Sequence, residues 1–260
     1  MRKYVSVVLI CCLMLAVWPA NIAKAQGGGA VPVSRWSFDE ASGRTAEDSI
    51  SNRDGQMEGV SRTFWAGPKE SESRGVSFNG VESAKITAKV PDFDISLTGA
   101  FTISGFMHMP EALPNTWEVF LAKGPKEPGH FELYVNPSGE LRFYSYELQD
   151  FGCGVVVADN TWHHFAVTYN GAQLVFYIDG VFAASHTVTG SMAVKTDVLS
   201  FGAISDGSAP YRGKLDEIRM FDYSLDAAQV AADRQSASVS GALAAWSFDE
   251  NDGTGFYDIS

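Results

Sequence analysis

The chain has 260 residues, 45% of them hydrophobic and 12% aromatic, which suits one β-sandwich with extra segments and rules out a disordered polar chain. Its formal charge of −12 argues against nucleic acid and anionic membrane surfaces as partners. Cys11 and Cys12 lie in a leader, so Cys153 stands alone in the remainder and no disulfide can form within it.

Residues 1–25 have a basic start (Arg2, Lys3), an apolar run from Val5 to Trp18 and the small-residue ending Ala23-Lys24-Ala25, the pattern of a secretory signal peptide. No later stretch is apolar for long enough to span a membrane, so the expectation is a secreted or cell-surface protein of a bacterial envelope with no membrane insertion after cleavage. Residues 26–30 (QGGGA) are a flexible linker. A domain is expected over 31–235, beginning with a strand at Val33–Asp39 that sets Trp36 and Phe38 on one face.

Short strands follow at Gly55–Val60, Arg62–Ala66, Gly75–Phe78 and Ala84–Ala88, and then at Phe101–Met109, Glu118–Lys123, His130–Val135, Glu140–Tyr146 and Gly154–Val157. Asp92 and Asp94 fall in a predicted loop as turn formers. The organising stretch is Thr161–Gly180, TWHHFAVTYNGAQLVFYIDG. It reads as two strands joined by a tight turn at Asn170-Gly171, with a second turn at Asp179-Gly180, since both dipeptides accept positive φ. Phe165, Val167 and Tyr169 share one face and Leu174, Phe176 and Ile178 another, which predicts a sheet with one buried side.

Strands at Val181–Val188, Val198–Ala203 and Gly213–Asp222 close the series. A helix is expected at Leu225–Arg234 with Ser224 as its cap. Many short strands with turn signals between them predict an all-β, two-sheet antiparallel sandwich with one short C-terminal helix. After a linker at 236–241, residues 242–260 repeat the start of the domain. Trp246–Glu250 duplicates Trp36–Glu40, and Gly253 and Asp258 match Gly43 and Asp48 in register. This reads as the beginning of a truncated second copy; the alternative is that 242–248 is a closing strand of the first.

WHHFAVTYNG followed by LVFYIDG, with GKLDEIRMFD near the end and RWSFDEASG near the start, resembles the laminin-G-like jelly-roll family of the concanavalin A-like lectin/glucanase superfamily. The resemblance implies a jelly roll. It also implies a structural calcium held by an acid of the closing strand, an acid near the first strand and a backbone carbonyl, which fall here on Asp216, Asp39 (or Glu40) and the Phe78–Gly80 turn, Gly80 included. Alternation agrees in part: Asp216 shares parity with Ile218 and Met220, so if those face the core the carboxylate does too and needs a partner there. Hydrogen bonds from backbone and hydroxyl groups are the alternative to a metal.

No catalytic constellation is found. The enzymes that the resemblance brings to mind carry E-x-D-x-x-E on one strand or a Gln-x-His strand; neither occurs, and Asp216 and Glu217 are adjacent, so they point to opposite faces. The same reasoning keeps His163 and His164 from sharing an ion. Binding candidates are the aromatic residues of predicted loops and strands, Trp117, Tyr144, Tyr146 and Tyr211, with Asp206-Gly207-Ser208 beside the last. The expected function is non-catalytic binding of a glycan or a cell-surface protein, in adhesion or targeting. The alternatives are a structural spacer domain and an accessory domain of a carbohydrate-active enzyme.

Overall fold

The computed structural model describes residues 30–40, 42–64, 74–90, 99–112, 115–188 and 197–235. The expected leader, most of its linker, residues 65–66 of the strand expected at Arg62–Ala66, Asp92 and Asp94, the linker at 236–241 and the repeat at 242–260 lie outside the described residues.

Two antiparallel sheets of eight strands each face one another among the described residues. One, here the helix-side sheet, runs β14 (Val181–Thr187), β13 (Gln173–Ile178), β12 (Trp162–Tyr169), β7 (Phe101–His108), β16 (Arg212–Phe221), β5 (Arg74–Asn79) and β4 (Ser61–Phe64), with β1 (Ser34–Trp36) also on β16. The other, the open sheet, runs β11 (Gln149–Val156), β10 (Glu140–Ser145), β9 (Phe131–Val135), β8 (Glu118–Lys123), β15 (Asp197–Phe201), β6 (Lys85–Val90), β3 (Gly55–Glu58) and β2 (Thr45–Ala46). A single helix, α1 (Ala227–Gln235), completes the described chain.

The central hairpin forms as its pattern predicts. Phe165, Val167, Tyr169, Leu174, Phe176 and Ile178 all enter the core between the sheets, and Phe165 stacks edge-on against Phe120 of the open sheet, 5.2 Å between ring centres. Each such side chain contributes about 1.5–3 kcal/mol by leaving water. The Asp179-Gly180 turn joins Ile178 directly to Val181, and both turn residues have positive φ, 53° and 76°. The other turn is wider than expected: Tyr169 pairs with Leu174, and the Asn170 side chain receives the amides of Ala172 and Gln173 to shape the loop between them.

Two further expectations change. The helix-side sheet is buried on both sides at this point, because Ala166 and Tyr177 pack outward with Phe221, Leu225 and, from α1, Val230. The helix is capped by Asp226, not Ser224. Asp226 Oδ1 accepts the Gln229 amide while Gln229 Oε1 accepts the Asp226 amide, each at 2.9 Å, a reciprocal cap that satisfies two otherwise orphaned donors.

Candidate functional site

Asp216 does not face the core. Leu215, Ile218 and Met220 all do, which is possible only because β16 carries a bulge between Asp216 and Arg219, with Glu217 at φ 52°. The extra residue reverses the alternation, so Asp216, paired with Phe106, lies on the helix side of the sheet, where it is 1% exposed. Ionic groups gather there. Arg35 donates to both oxygens of Glu217 at 2.8 and 2.7 Å, and Arg219 donates to Glu217 at 3.2 Å and to Asp233 at 2.9 Å. His164 Nε2 meets the other Asp233 oxygen at 3.2 Å. The Arg35 guanidinium is held above its usual value, first by the Glu217 bond, then against burial, with Asp39 and Asp216 adding to it.

Of the set expected for calcium, the Phe78–Gly80 turn is offset along β16 from Asp216. Gly213 pairs with Phe78, Arg212 with Asn79, and the Gly80 amide donates to the Tyr211 carbonyl, so the backbone of the Phe78–Gly80 turn lies three to five residues along β16 from Asp216, about 10–17 Å at ~3.3 Å per residue. Two ligands of one calcium ion must lie within about 5 Å of each other, since each is ~2.3–2.6 Å from the ion. Glu40, the other candidate, accepts the Glu47 amide at 2.6 Å. The described residues contain no group of three or more His, Cys, Asp or Glu placed to hold a metal. Asp39 and Asp216 both act on the Arg35 guanidinium.

His163 and His164 make separate contacts. While His164 turns under α1, His163 bridges Asp179 (Nδ1, 2.8 Å) and Asp159 (Nε2, 3.1 Å) at the rim.

Of the four aromatic candidates, Tyr211 is a core residue. It is 0% exposed, packs against Phe78 and Phe120, and donates its hydroxyl to the His108 carbonyl at 3.1 Å. Pro210 before it reads as an exposed loop, but that loop folds inward: Val119 donates to the Ala209 carbonyl, tying it to β8. Trp117, Tyr144 and Tyr146 lie on the open sheet. Burial alternates down β10, with Glu140, Arg142 and Tyr144 part-exposed and Leu141, Phe143 and Ser145 buried, and Tyr146 continues the outward series at 50% exposure. Trp117, immediately before β8, is 54% exposed.

The structure adds residues that sequence reasoning missed. Between these aromatics lies a lattice of polar side chains on β9, β10 and β11. The Tyr134 hydroxyl donates to Asp150 Oδ2 at 2.9 Å, and Arg142 donates to Asp150 Oδ1 at 3.0 Å and to Glu140 at 2.8 Å. Burial and the Asp150 contact push the Tyr134 hydroxyl far above its ordinary range, so it stays a donor. Lys126 lies 3.2 Å from Glu132 and 5.7 Å from the Tyr144 ring centre, a cation over an aromatic face. Glu132 also meets the Nε2 of buried His130 at 3.1 Å. The signal was present in the alternating polar positions of FELYV and ELRFYS, which place Glu132, Tyr134, Glu140, Arg142 and Tyr144 on one side.

A family model described as concanavalin A-like lectin/glucanases superfamily matches residues 80–231. No curated protein sequence matches the chain. Among solved structures, the binding domain of Paraclostridial Mosquitocidal Protein 1 superposes with a TM-score of 0.63 at 14% identity, over 79% of this chain and 52% of that one. The Trypanosoma rangeli sialidase in complex with the inhibitor DANA gives 0.60 at 18% identity, over 80% and 33%. Domain 4 of AbnA, a GH43 extracellular arabinanase from Geobacillus stearothermophilus, in complex with arabinotriose, gives 0.59 at 19% identity, over 80% and 100%. The chain thus spans about half the length of the toxin binding domain and all of the arabinanase domain. With over half its residues matched by the family model and its two facing antiparallel sheets formed as that family requires, the chain belongs to the concanavalin A-like lectin/glucanase superfamily as a laminin-G-like jelly roll.

Proposed function

We propose that this domain is a non-catalytic module that binds glycan on the outer face of the open sheet. The observation that carries this reading is the grouping of part-exposed Tyr144, with exposed Trp117 and Tyr146, around fixed donors and acceptors. Aromatic rings offer a face to the apolar side of a sugar, while the Arg142, Asp150 and Glu140 lattice offers hydrogen bonds in set directions. The carboxylates there are engaged with Arg142 and Lys126, which suits them to hold a ligand's hydroxyls. The likeness to an arabinanase domain in complex with arabinotriose and to toxin binding domains supports a binding role. A protein partner on the same face is the second reading, favoured by the toxin domains.

The sequence pattern of residues 1–25 supports export, and no helix among the described residues is long and apolar enough to cross a membrane. Screening the purified protein on a glycan array, with and without calcium, tests the reading. Saturable binding lost in Tyr144→Ala and Arg142→Ala, with folding intact, is the expected result. Silence across the array would shift the case to a protein partner or a spacer.

A further inference from the structure

We infer that the ligand is an uncharged polysaccharide, held obliquely across β8–β10 as an extended run of several sugar units with Trp117 at one end and Tyr146 at the other. This rests on the glycan-binding reading and narrows it. The argument is one of spacing. Trp117 immediately precedes β8, two residues before Val119, which packs on the outer face with Tyr134, and extending the alternation of β8 by one residue puts the indole on that same side. Glu118 pairs with Val135, and Val135 with Leu141, which places Trp117 level with Glu140. From Glu140 to Tyr146 is six residues, about 20 Å at ~3.3 Å per residue. Tyr144 stands between them. A single sugar cannot touch both ends, whereas an extended chain can lie across all three rings.

The face also has walls and a charge balance. Ile204 and Ala209 pack on Val119, Ala122 and Tyr134, so the loop carrying Asp206 and Ser208 borders the strip on the β8 side and leaves β10 open. Asp150 is engaged by Arg142 and Tyr134, Glu140 by Arg142 and Asn136, and Glu132 by Lys126 and His130. An acidic polymer would meet three carboxylates and a basic one would compete with Arg142 and Lys126 for them. Neutral hydroxyls can use both signs.

Calorimetric titration of the whole chain with arabinotriose and arabinohexaose, the corresponding xylose oligomers, and a galacturonic acid hexamer tests this. The expected result is that a neutral hexamer binds at least about tenfold tighter than its trimer, and that Trp117→Ala or Tyr146→Ala brings the hexamer down to trimer affinity. Both residues are about half exposed, so the variants keep the fold, which circular dichroism checks. Equal affinity for trimer and hexamer overturns the extended-run inference and leaves glycan binding standing. Preference for the acidic hexamer overturns the charge argument in the same way. Binding of no oligomer, together with a silent array, removes both.

Discussion

Arg35 of the first strand grips Glu217 of the last at both carboxylate oxygens, 182 positions further along the chain. The bond sits at the β16 bulge, where Glu217 is a non-glycine residue at positive φ. Local strain of that kind persists only where other contacts hold it, and Arg35 and Arg219 both do. Removing the grip with Arg35→Met is expected to cost about 1–3 kcal/mol, below the value for a fully buried pair because the Arg35 side chain is one-third exposed. Glu217→Ala and Glu217→Gly separate pair from strain. Both lose the ion pair, yet glycine adopts positive φ freely, so urea denaturation should find Glu217→Gly the more stable by about 1 kcal/mol.

Asp233 fastens α1 to the sheet through Arg219 and His164, and all three are nearly fully buried. Burial opposes its charge, but the His164 and Arg219 contacts outweigh that and hold its carboxyl below the usual range. A carboxylate whose folded value is depressed contributes stability above its unfolded value near 3.8, and that contribution is lost as pH falls through the lower folded value. Asp233→Asn should therefore cost about 1–3 kcal/mol at neutral pH, since Arg219 loses one of its two carboxylate partners and keeps Glu217. It should also flatten the acid limb of the stability curve, measured by urea midpoints between pH 2 and 5.

Alternation gave the face of the central hairpin's residues, from Phe165 to Ile178, because a period of two is written directly in the side chains. It failed at Asp216 because a bulge inserts one residue without marking it. Glutamate at the bulge position carries no signal of positive φ, as glycine would have done. Tyr211 was misplaced for a related reason: the pairing of its loop with β8 joins residues some ninety positions apart. The Tyr134–Asp150–Arg142 lattice needed register as well as face, and register between strands is not in the local pattern.

His163 links two turns. Its bond to Asp179 is the main cause raising its affinity for protons, with burial opposing and Asp159 adding. A histidine whose folded value is raised contributes fully below its unfolded value near 6.5 and loses that contribution as pH rises through the folded value. The partner acids Asp159 and Asp179 are both held below 3.8 by net effect of His163 and nearby hydrogen bonds, though burial pulls them upward. Their share is lost only in stronger acid. His163→Gln should thus lower the melting temperature near pH 5.5 and have less effect at pH 8.5. An equal drop at both values would show that protonation is not what ties the turns together.

The calcium expectation has its own test. The turn at Phe78–Gly80 is offset from Asp216 by several residues along β16, and Asp39 and Asp216 both act on the Arg35 guanidinium. Adding a chelator to the purified protein is expected to leave its melting temperature unchanged. A fall of several degrees restored by calcium alone would mean that these acids bind metal in a different arrangement.

Tyr211 and Tyr144 separate packing from recognition. Tyr211 is wholly buried and its hydroxyl has a backbone partner, whereas Tyr144 is part-exposed over Lys126. Tyr211→Phe removes one hydrogen bond and should cost about 1 kcal/mol, while Tyr211→Ala opens a cavity and should cost about 3–5 kcal/mol. Neither acts on the ligand directly, so Tyr211→Phe should bind glycan as the unmodified protein does. Tyr144→Ala should do the reverse, shifting stability by no more than about 1 kcal/mol while weakening binding about tenfold. Denaturation midpoints and titrations on the same three variants decide it. Loss of binding in Tyr211→Phe at unchanged stability would move the recognition surface from the open sheet to the rim around His108.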